Sequence, residues 1–343
     1  AMVFLQALKS DRCSYVVDHS SSYFELSQDG KAIDSVQFPR QTLQYKAGDC
    51  DDLSATYAAL LESSGVSTAF ITVPGHIYAA FKLDMSEREA KRTFSRPGDL
   101  IVREDGSVWV PVETTMLRDG FLAAWAEGAS QWRKHEPEGK ARLLPTAEAW
   151  QTYEPVAFGV SDYEVDIPLR DEVEDEFGEE FDRFVNREIS GREQELLGRL
   201  LRRPGDSRLR NRLGVLYARY GRYGKAEAQF RAAVQGRDYV PGLINLGNIS
   251  FLNKNYAGAR EAYSRALELD GDNETALLGI ARVSYADEDY GAAEDAYSEL
   301  GALDPELAER FAYLAAGSSG GGTGRASEAG QKHSTVVWEE EEE

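Results

Sequence analysis

Residues 41–81, QTLQYKAGDCDDLSATYAALLESSGVSTAFITVPGHIYAAF, decide how the first half of the chain is read. Leu53, Tyr57, Leu60 and Leu61 recur at helical spacing, which puts Cys50 in the first turn of a buried helix. Gly65 ends that helix, and TAFITV reads as a strand leading into Pro74-Gly75-His76. A further strand over 109–114, WVPVET, carries the acid Glu113. A cysteine, a histidine and an acid in this order are the parts of an activated-thiol site.

The residue types fit that chemistry. Only a thiolate attacks a carbonyl, and a free thiol titrates near ~8.5, so the anion has to be stabilised. A helix N-terminus offers unpaired N–H groups and the positive end of the dipole. A neighbouring imidazolium adds a full charge, and a carboxylate behind the ring fixes its tautomer and orientation. Asp51 and Asp52 pull the other way, because nearby carboxylates disfavour a thiolate. They suit the helix start instead, and the histidine is expected to matter more than the dipole.

The segments GDCDDLSATYAALLESSG, PGHIYAAF and WVPVETT resemble the transglutaminase-like superfamily of cysteine enzymes, which has a papain-like fold. The resemblance spans roughly residues 1–158 and implies an α+β domain. It makes Cys50 the nucleophile, His76 the base and Glu113 the orienting acid. Trp109, four residues before the acid, matches a recurrent aromatic of the family. Gln44 lies six residues before Cys50, a spacing that resembles the oxyanion-hole glutamine of papain-like enzymes, where a side-chain N–H and the nucleophile's own N–H hold the developing charge.

Composition narrows the partners. The chain has 343 residues, long enough for about two domains, and 42% of them are hydrophobic. A net charge of −21 and a pI near 4.7 argue against nucleic acid and anionic membranes. Two cysteines, Cys13 and Cys50, are too few for a disulfide framework, and both are expected as free thiols. The longest apolar runs fall short of the ~20 residues of a membrane span, and no signal peptide opens the chain. A soluble chain is the expectation; the compartment is left open, with a piece trimmed from a longer, exported bacterial protein as one reading. His19, His76, His135 and His333 show no HExxH spacing, and no phosphate-cradling glycine loop occurs, so neither metal nor cofactor is expected.

Elsewhere in the first half, residues 2–10 read as a short helix, 14–18 as a strand and Asp29-Gly30 as a turn. Residues 84–99 read as a polar connection, LIVREDGSVWVPVET as a hairpin turning at Asp105-Gly106, and 117–134 as an amphipathic helix. A short helix near Thr146 precedes YEPVAF, which is expected to complete the sheet. From Ser161 to Asn186 there are 11 acids against 2 arginines, which reads as an exposed or weakly ordered acidic linker with some helix near Phe177–Phe184.

A repeat follows. Gly214, Gly247 and Ala281 share one register, Tyr223, Tyr256 and Tyr290 another, Ala226, Ala259 and Ala293 a third, and Phe230, Tyr263 and Tyr297 a fourth. The steps are 33 and then 34 residues. Small residues let paired helices approach and the aromatics fill the space to the next pair. The pattern resembles tetratricopeptide repeats (TPR) over about 207–239, 240–273 and 274–307, with a last helix over 306–316. Such stacks present a concave groove to a protein partner, and by family register Asn211, Arg219, Asn248 and Arg282 line it.

The expected organisation is therefore an α+β transglutaminase-like domain (1–160), an acidic linker (161–186), an all-α TPR superhelix (187–316) and a disordered Gly/Ser-rich acidic tail (317–343). The expected function is a cysteine-dependent amide-bond enzyme acting on a protein or peptide, as peptidase, amidase or acyl transferase, with a TPR module for a protein partner. The alternative is a catalytically inactive scaffold of the same fold that acts through its repeats.

Overall fold

The computed structural model describes residues 1–17, 36–156, 166–318 and 336–341. The chain parts into two compact units, Ala1–Glu188 and Ile189–Glu343.

In the first unit the elements run α1 (Met2–Ser10), β1 (Ser14–Tyr15), α2 (Pro39–Tyr45), β2 (Ala47–Gly48), α3 (Cys50–Ser63), β3 (Thr68–Val73), β4 (His76–Leu83), α4 (Glu87–Thr93), β5 (Ile101–Val102), β6 (Val108–Val112), α5 (Phe121–His135), β7 (Arg142–Pro145) and α6 (Thr146–Thr152). An antiparallel sheet of order β5-β6-β4-β3-β7 forms the middle, while β1 and β2 make a short parallel pair of their own. The register sets Ala79 opposite Val112 and Ile71 opposite Tyr78. Alternate residues of a strand point to opposite faces, and the burial obeys that rule. Ala79, Phe81, Val108, Val110 and Val112 pack with Leu53, Tyr57 and Leu61 of α3. Ala69, Ile71, Val73, Tyr78, Ala80, Ile101 and Trp109 build a second apolar cluster. Gly75, at φ 74°, makes the tight turn between β3 and β4, a backbone state that favours glycine.

Three segments differ from expectation. The connection over 84–99 contains α4, whose N-terminus is closed by a capping box between Ser86 and Glu89. The last strand of the sheet is RLLP, Arg142–Pro145, before the short helix; residues 153–156 of YEPVAF form no strand. The acidic stretch is helical from Arg170, as the start of α7 (Arg170–Arg202), the helix in which the boundary between the units falls. The helix expected near Phe177–Phe184 is there, longer than the sequence indicated and with an aromatic stripe that packs against Trp125. Phe177 stacks on Phe181, Phe181 meets Phe184 at a tilt, Phe184 lies 6.5 Å from Trp125, and the Arg187 guanidinium sits 4.1 Å over the Trp125 ring. Glu180, almost fully buried, accepts the Leu122 N–H at the start of α5 at 2.6 Å. The turn expected at Asp29-Gly30 lies outside the described residues.

The second unit is helical: the end of α7, then α8 (Ser207–Arg219), α9 (Tyr223–Val234), α10 (Val240–Leu252), α11 (Tyr256–Leu269), α12 (Glu274–Ala286), α13 (Tyr290–Leu303) and α14 (Pro305–Arg310), followed by a 3-10 turn over Ala312–Ser318. The helices pair at the registers read from the sequence. A Cβ on Gly247 would lie 2.5 Å from the Tyr263 ring, and one on Gly214 would lie 2.4 Å from the Phe230 ring. Both rings are buried, and the Tyr263 hydroxyl donates to Asn248 Oδ1 at 2.7 Å, so neither can step aside. Among the described residues no helix is long and apolar enough to cross a membrane.

Gly247→Ala is expected to destabilise the second unit by about 2 kcal/mol through overpacking. Gly191→Ala, on a helix position with open space around it, is expected to stabilise by up to about 1 kcal/mol. Urea denaturation of the two variants checks the contrast.

Candidate active site and repeat groove

Three elements bring the predicted catalytic set together. Cys50 is the first residue of α3, His76 the first of β4, and Glu113 directly follows β6. The helix start is fixed by its own acids: Asp49 caps it, accepting the Asp52 N–H at 3.3 Å, and Asp52 accepts the Asp49 N–H in return at 3.2 Å. The Asp52 carboxylate also takes Gln37 N and Gln37 Nε2 at 2.6 and 2.7 Å, which ties the incoming chain to the helix. Burial pushes the Asp52 carboxyl up and these hydrogen bonds oppose it. Asp49, Asp51 and Asp52 each bring an oxygen within 4.8 Å of the others, the grouping among the described residues that could approach a cation. Asp49 and Asp52 are engaged in capping, which accounts for the cluster without an ion.

The acid is held at both oxygens. Glu113 Oε1 accepts the Thr115 N–H at 3.1 Å and the Thr115 hydroxyl at 2.7 Å, and Oε2 lies 2.6 Å from His76 Nε2. Its side chain is only 3% exposed against 23% for His76, so the acid lies deeper than the ring it holds. His76 is also coupled electrostatically to Cys50, which raises the ring's pKa. With Nε2 committed to Glu113, the ring's remaining nitrogen, Nδ1, is the one for the sulfur. Burial of the imidazole lowers its pKa, but Cys50 and Glu113 outweigh burial, and the ring rises from 6.5 to about 10. Tyr78, fully buried beneath, stacks on the imidazole at 5.9 Å and anchors its hydroxyl on the Gly128 carbonyl at 3.0 Å.

The other thiol is different. Cys13 is also free and fully buried, and burial, with Asp11 beside it, pushes it up to about 11. Both cysteines are unbridged, as the sequence indicated.

Two further sequence candidates form no hydrogen bond with this set among the described residues. Trp109 belongs to the second apolar cluster, 3% exposed, with its indole N–H donating to Ser107 Oγ at 2.8 Å, so it is a core residue. Gln44 is exposed on α2, and its amide makes no hydrogen bond among the described residues. One neighbour was missed. Tyr15 sits in β1 opposite Gly48, and its phenol is pushed up by burial and by the charges of Cys50, Asp49 and Glu113. The reading of 14–18 as a plain strand carried no sign of it.

The repeat groove holds a segment of the chain itself. Residues 336–341, VVWEEE, lie against α8, α10 and α12, whereas the whole of 317–343 was expected to be disordered. Asn248 Nδ2 donates to the Val337 carbonyl at 2.7 Å. Asn211 Nδ2 and Asn245 Nδ2 both donate to the Glu339 carbonyl at 2.8 Å, and Asn245 Oδ1 accepts the Glu339 N–H at 2.9 Å. Arg212 donates to the Glu341 carbonyl at 2.8 Å. Trp338 stacks on Phe230 at 6.1 Å with 19° between the planes. Arg219 pairs with Glu340 at 2.9 Å, Arg208 with Glu341 at 2.6 Å, and Thr275 bonds the Glu339 carboxylate.

Of the four predicted groove residues, Asn211, Arg219 and Asn248 contact the segment. Arg282 instead lies over Phe251 and Phe311, 4.7 and 5.7 Å from their centroids, and bonds Tyr313, which makes it an internal brace. Asn245 was missed because it stands two residues before Gly247, whereas Asn211 stands three before Gly214.

Family models of the tetratricopeptide repeat match residues 194–241 and 240–273, so the chain contains these repeats. Similar solved structures include two described as MamA, one 17% identical with a TM-score of 0.32 over 42% of this chain and 86% of its own, the other 18% and 0.33 over 46% and 81%. A tetratricopeptide repeat protein from Parabacteroides merdae ATCC 43184 is 17% identical, with a TM-score of 0.34 over 47% of this chain and 70% of its own. No curated protein matches the chain.

Because the folded pKa of His76 lies above its ordinary value, the charged ring stabilises the fold fully below about pH 6.5 and that contribution is lost as pH rises through about 10. In an NMR titration of the histidine ring protons, His76 is expected to stay protonated past pH 8. In Cys50→Ala its midpoint is expected to fall, because the sulfur is the leading influence that raises it.

Proposed function

We propose that the first unit is a cysteine-dependent amide-bond enzyme of transglutaminase-like type. One observation carries the reading: a half-buried imidazole bonded to a buried, doubly held carboxylate and coupled to the cysteine that opens a helix. In this reading the Cys50 sulfur attacks the carbonyl carbon of a peptide or glutamine side chain. The C–N bond then breaks, the nitrogen leaves with the proton held at His76 Nδ1, and a thioester to Cys50 remains. Water or an amine, deprotonated by the same ring, resolves it to acid or to a new amide. Glu113 keeps the ring in register throughout and does not itself take the proton. The Cys50 backbone N–H, at the first helical position and with no acceptor among the described residues, serves in this scheme as one oxyanion donor, and the Gln44 amide as the other. Hydrolysis is the favoured outcome, since water needs no second pocket. The repeats supply protein–protein interaction.

A second reading is a scaffold of the same fold without turnover. It is favoured by the repeats being the part of the chain that family models match.

The two separate on thiol chemistry. At pH 7.5 a thiol at about 11, such as Cys13, is roughly one part in three thousand ionised. Iodoacetamide is expected to label Cys50 at least a hundredfold faster than Cys13, and His76→Ala is expected to lower the Cys50 rate by about 10²-fold or more. A peptide pool quenched in acid should yield a mass-shifted acyl-enzyme on wild type and none on Cys50→Ala. Equal, slow labelling of the two sulfurs and no adduct would favour the scaffold.

A further inference from the structure

The contacts around residues 336–341 form a complete recognition set, and they do not depend on the cysteine chemistry. We infer that the groove is a receptor for extended acidic segments carrying a tryptophan, and that the chain's own VVWEEE is its resident ligand, seated in cis, which a partner must displace.

Three features select this ligand. The first is the backbone. The carbonyls of Val337, Glu339 and Glu341, every second residue, are each taken by a side chain from the groove. Equal spacing of two residues is what an extended strand offers and a helix does not. The amides doing this are themselves oriented: Asn245 Nδ2 also donates to Asn211 Oδ1 at 2.9 Å, and Asn248 Oδ1 is fixed by the Tyr263 hydroxyl. With the segment seated, Asn211 and Asn245 are fully buried, and the Glu339 backbone supplies their hydrogen-bond partners.

The second feature is the aromatic. Trp338 stacks on Phe230, the ring that also packs against Gly214 between α8 and α9, so this contact joins the ligand to the repeat's own packing. The third is charge. In a chain of net charge −21, α8 carries four arginines and no acid. Three of them, Arg208, Arg212 and Arg219, meet the segment. A helix so basic within so acidic a protein is complementary to carboxylates.

A ligand on the same chain competes at an effective concentration of about millimolar order. A partner therefore has to bind more tightly than the resident segment or arrive with further contacts. The groove is by this reading closed until such a partner comes, and the partner's binding segment is an extended run with glutamate or aspartate after a tryptophan.

The probe is a dye-labelled VVWEEE peptide, titrated into the full chain and followed by fluorescence anisotropy. Trp338→Ala, which alters the resident segment and leaves the groove intact, is expected to bind the probe at least tenfold more tightly than wild type. Adding Arg219→Glu, at an exposed position, is expected to weaken that binding at least fivefold. A VVWEKE probe, which reverses the charge facing residue 219, should recover it. Equal affinity of wild type and Trp338→Ala would overturn the proposal, as would a scrambled acidic peptide binding as well as VVWEEE. A wild type that sediments as a dimer, with Trp338→Ala monomeric, would overturn the cis seat by putting the segment in a neighbouring copy.

Discussion

The first unit's candidate chemistry depends on one buried carboxylate. Glu113 sits where β6 gives way to a 3-10 turn, and a charge at that depth is tolerated only when its oxygens are bonded. Thr115, two residues on, satisfies one oxygen with both its N–H and its hydroxyl, and His76 satisfies the other. The turn therefore fixes the acid, the acid fixes the ring, and the ring's far nitrogen is left for the sulfur. Tyr78 stacks on the imidazole from the next position on the same face of β4. A neutral side chain at 113 would still fill the space, but it would remove one of the two groups, with Cys50, that raise the ring's pKa.

Much of this was legible from the sequence, for identifiable reasons. The helix beginning at Cys50, the strands on either side of Pro74-Gly75 and the hairpin at Asp105-Gly106 follow from periodicity and turn residues, and they appear where expected. So do the helix pairs of the repeats, because glycine and alanine at fixed spacing leave few other packings. The errors came where one signal masked another. Eleven acids over 161–186 led to a linker with only some helix near Phe177–Phe184, whereas the helix runs from Arg170 and packs its aromatic face. RLLP was passed over as a strand because it is short and flanked by charge, although its pairing with β3 supplies the hydrogen bonds that its sequence does not advertise.

Side-chain partners were less legible than elements. Trp109 looks like a site residue by its distance from Glu113 along the strand, yet an interval of four residues says nothing of whether a large ring reaches the site or joins the core. Tyr15 reaches the neighbourhood of Cys50 only because β1 pairs with β2 just before the helix, a contact between stretches more than 30 residues apart. Arg282 occupies a groove register but is drawn into a sandwich between Phe251 and Phe311, where its flat cation gains more than it would from solvent. Local pattern names the element; what each side chain meets is decided by neighbours the pattern does not contain.

Asn245 grips one residue by both its amide hydrogen and its carbonyl, so it tests whether a backbone is present and not which side chain rides on it. An imino acid at that point has no hydrogen to offer and would leave the Asn245 oxygen stranded in a dry pocket. The groove is thus intolerant of proline at a single place, a filter built from the peptide bond itself and added to the side-chain contacts that read the tryptophan and the glutamates.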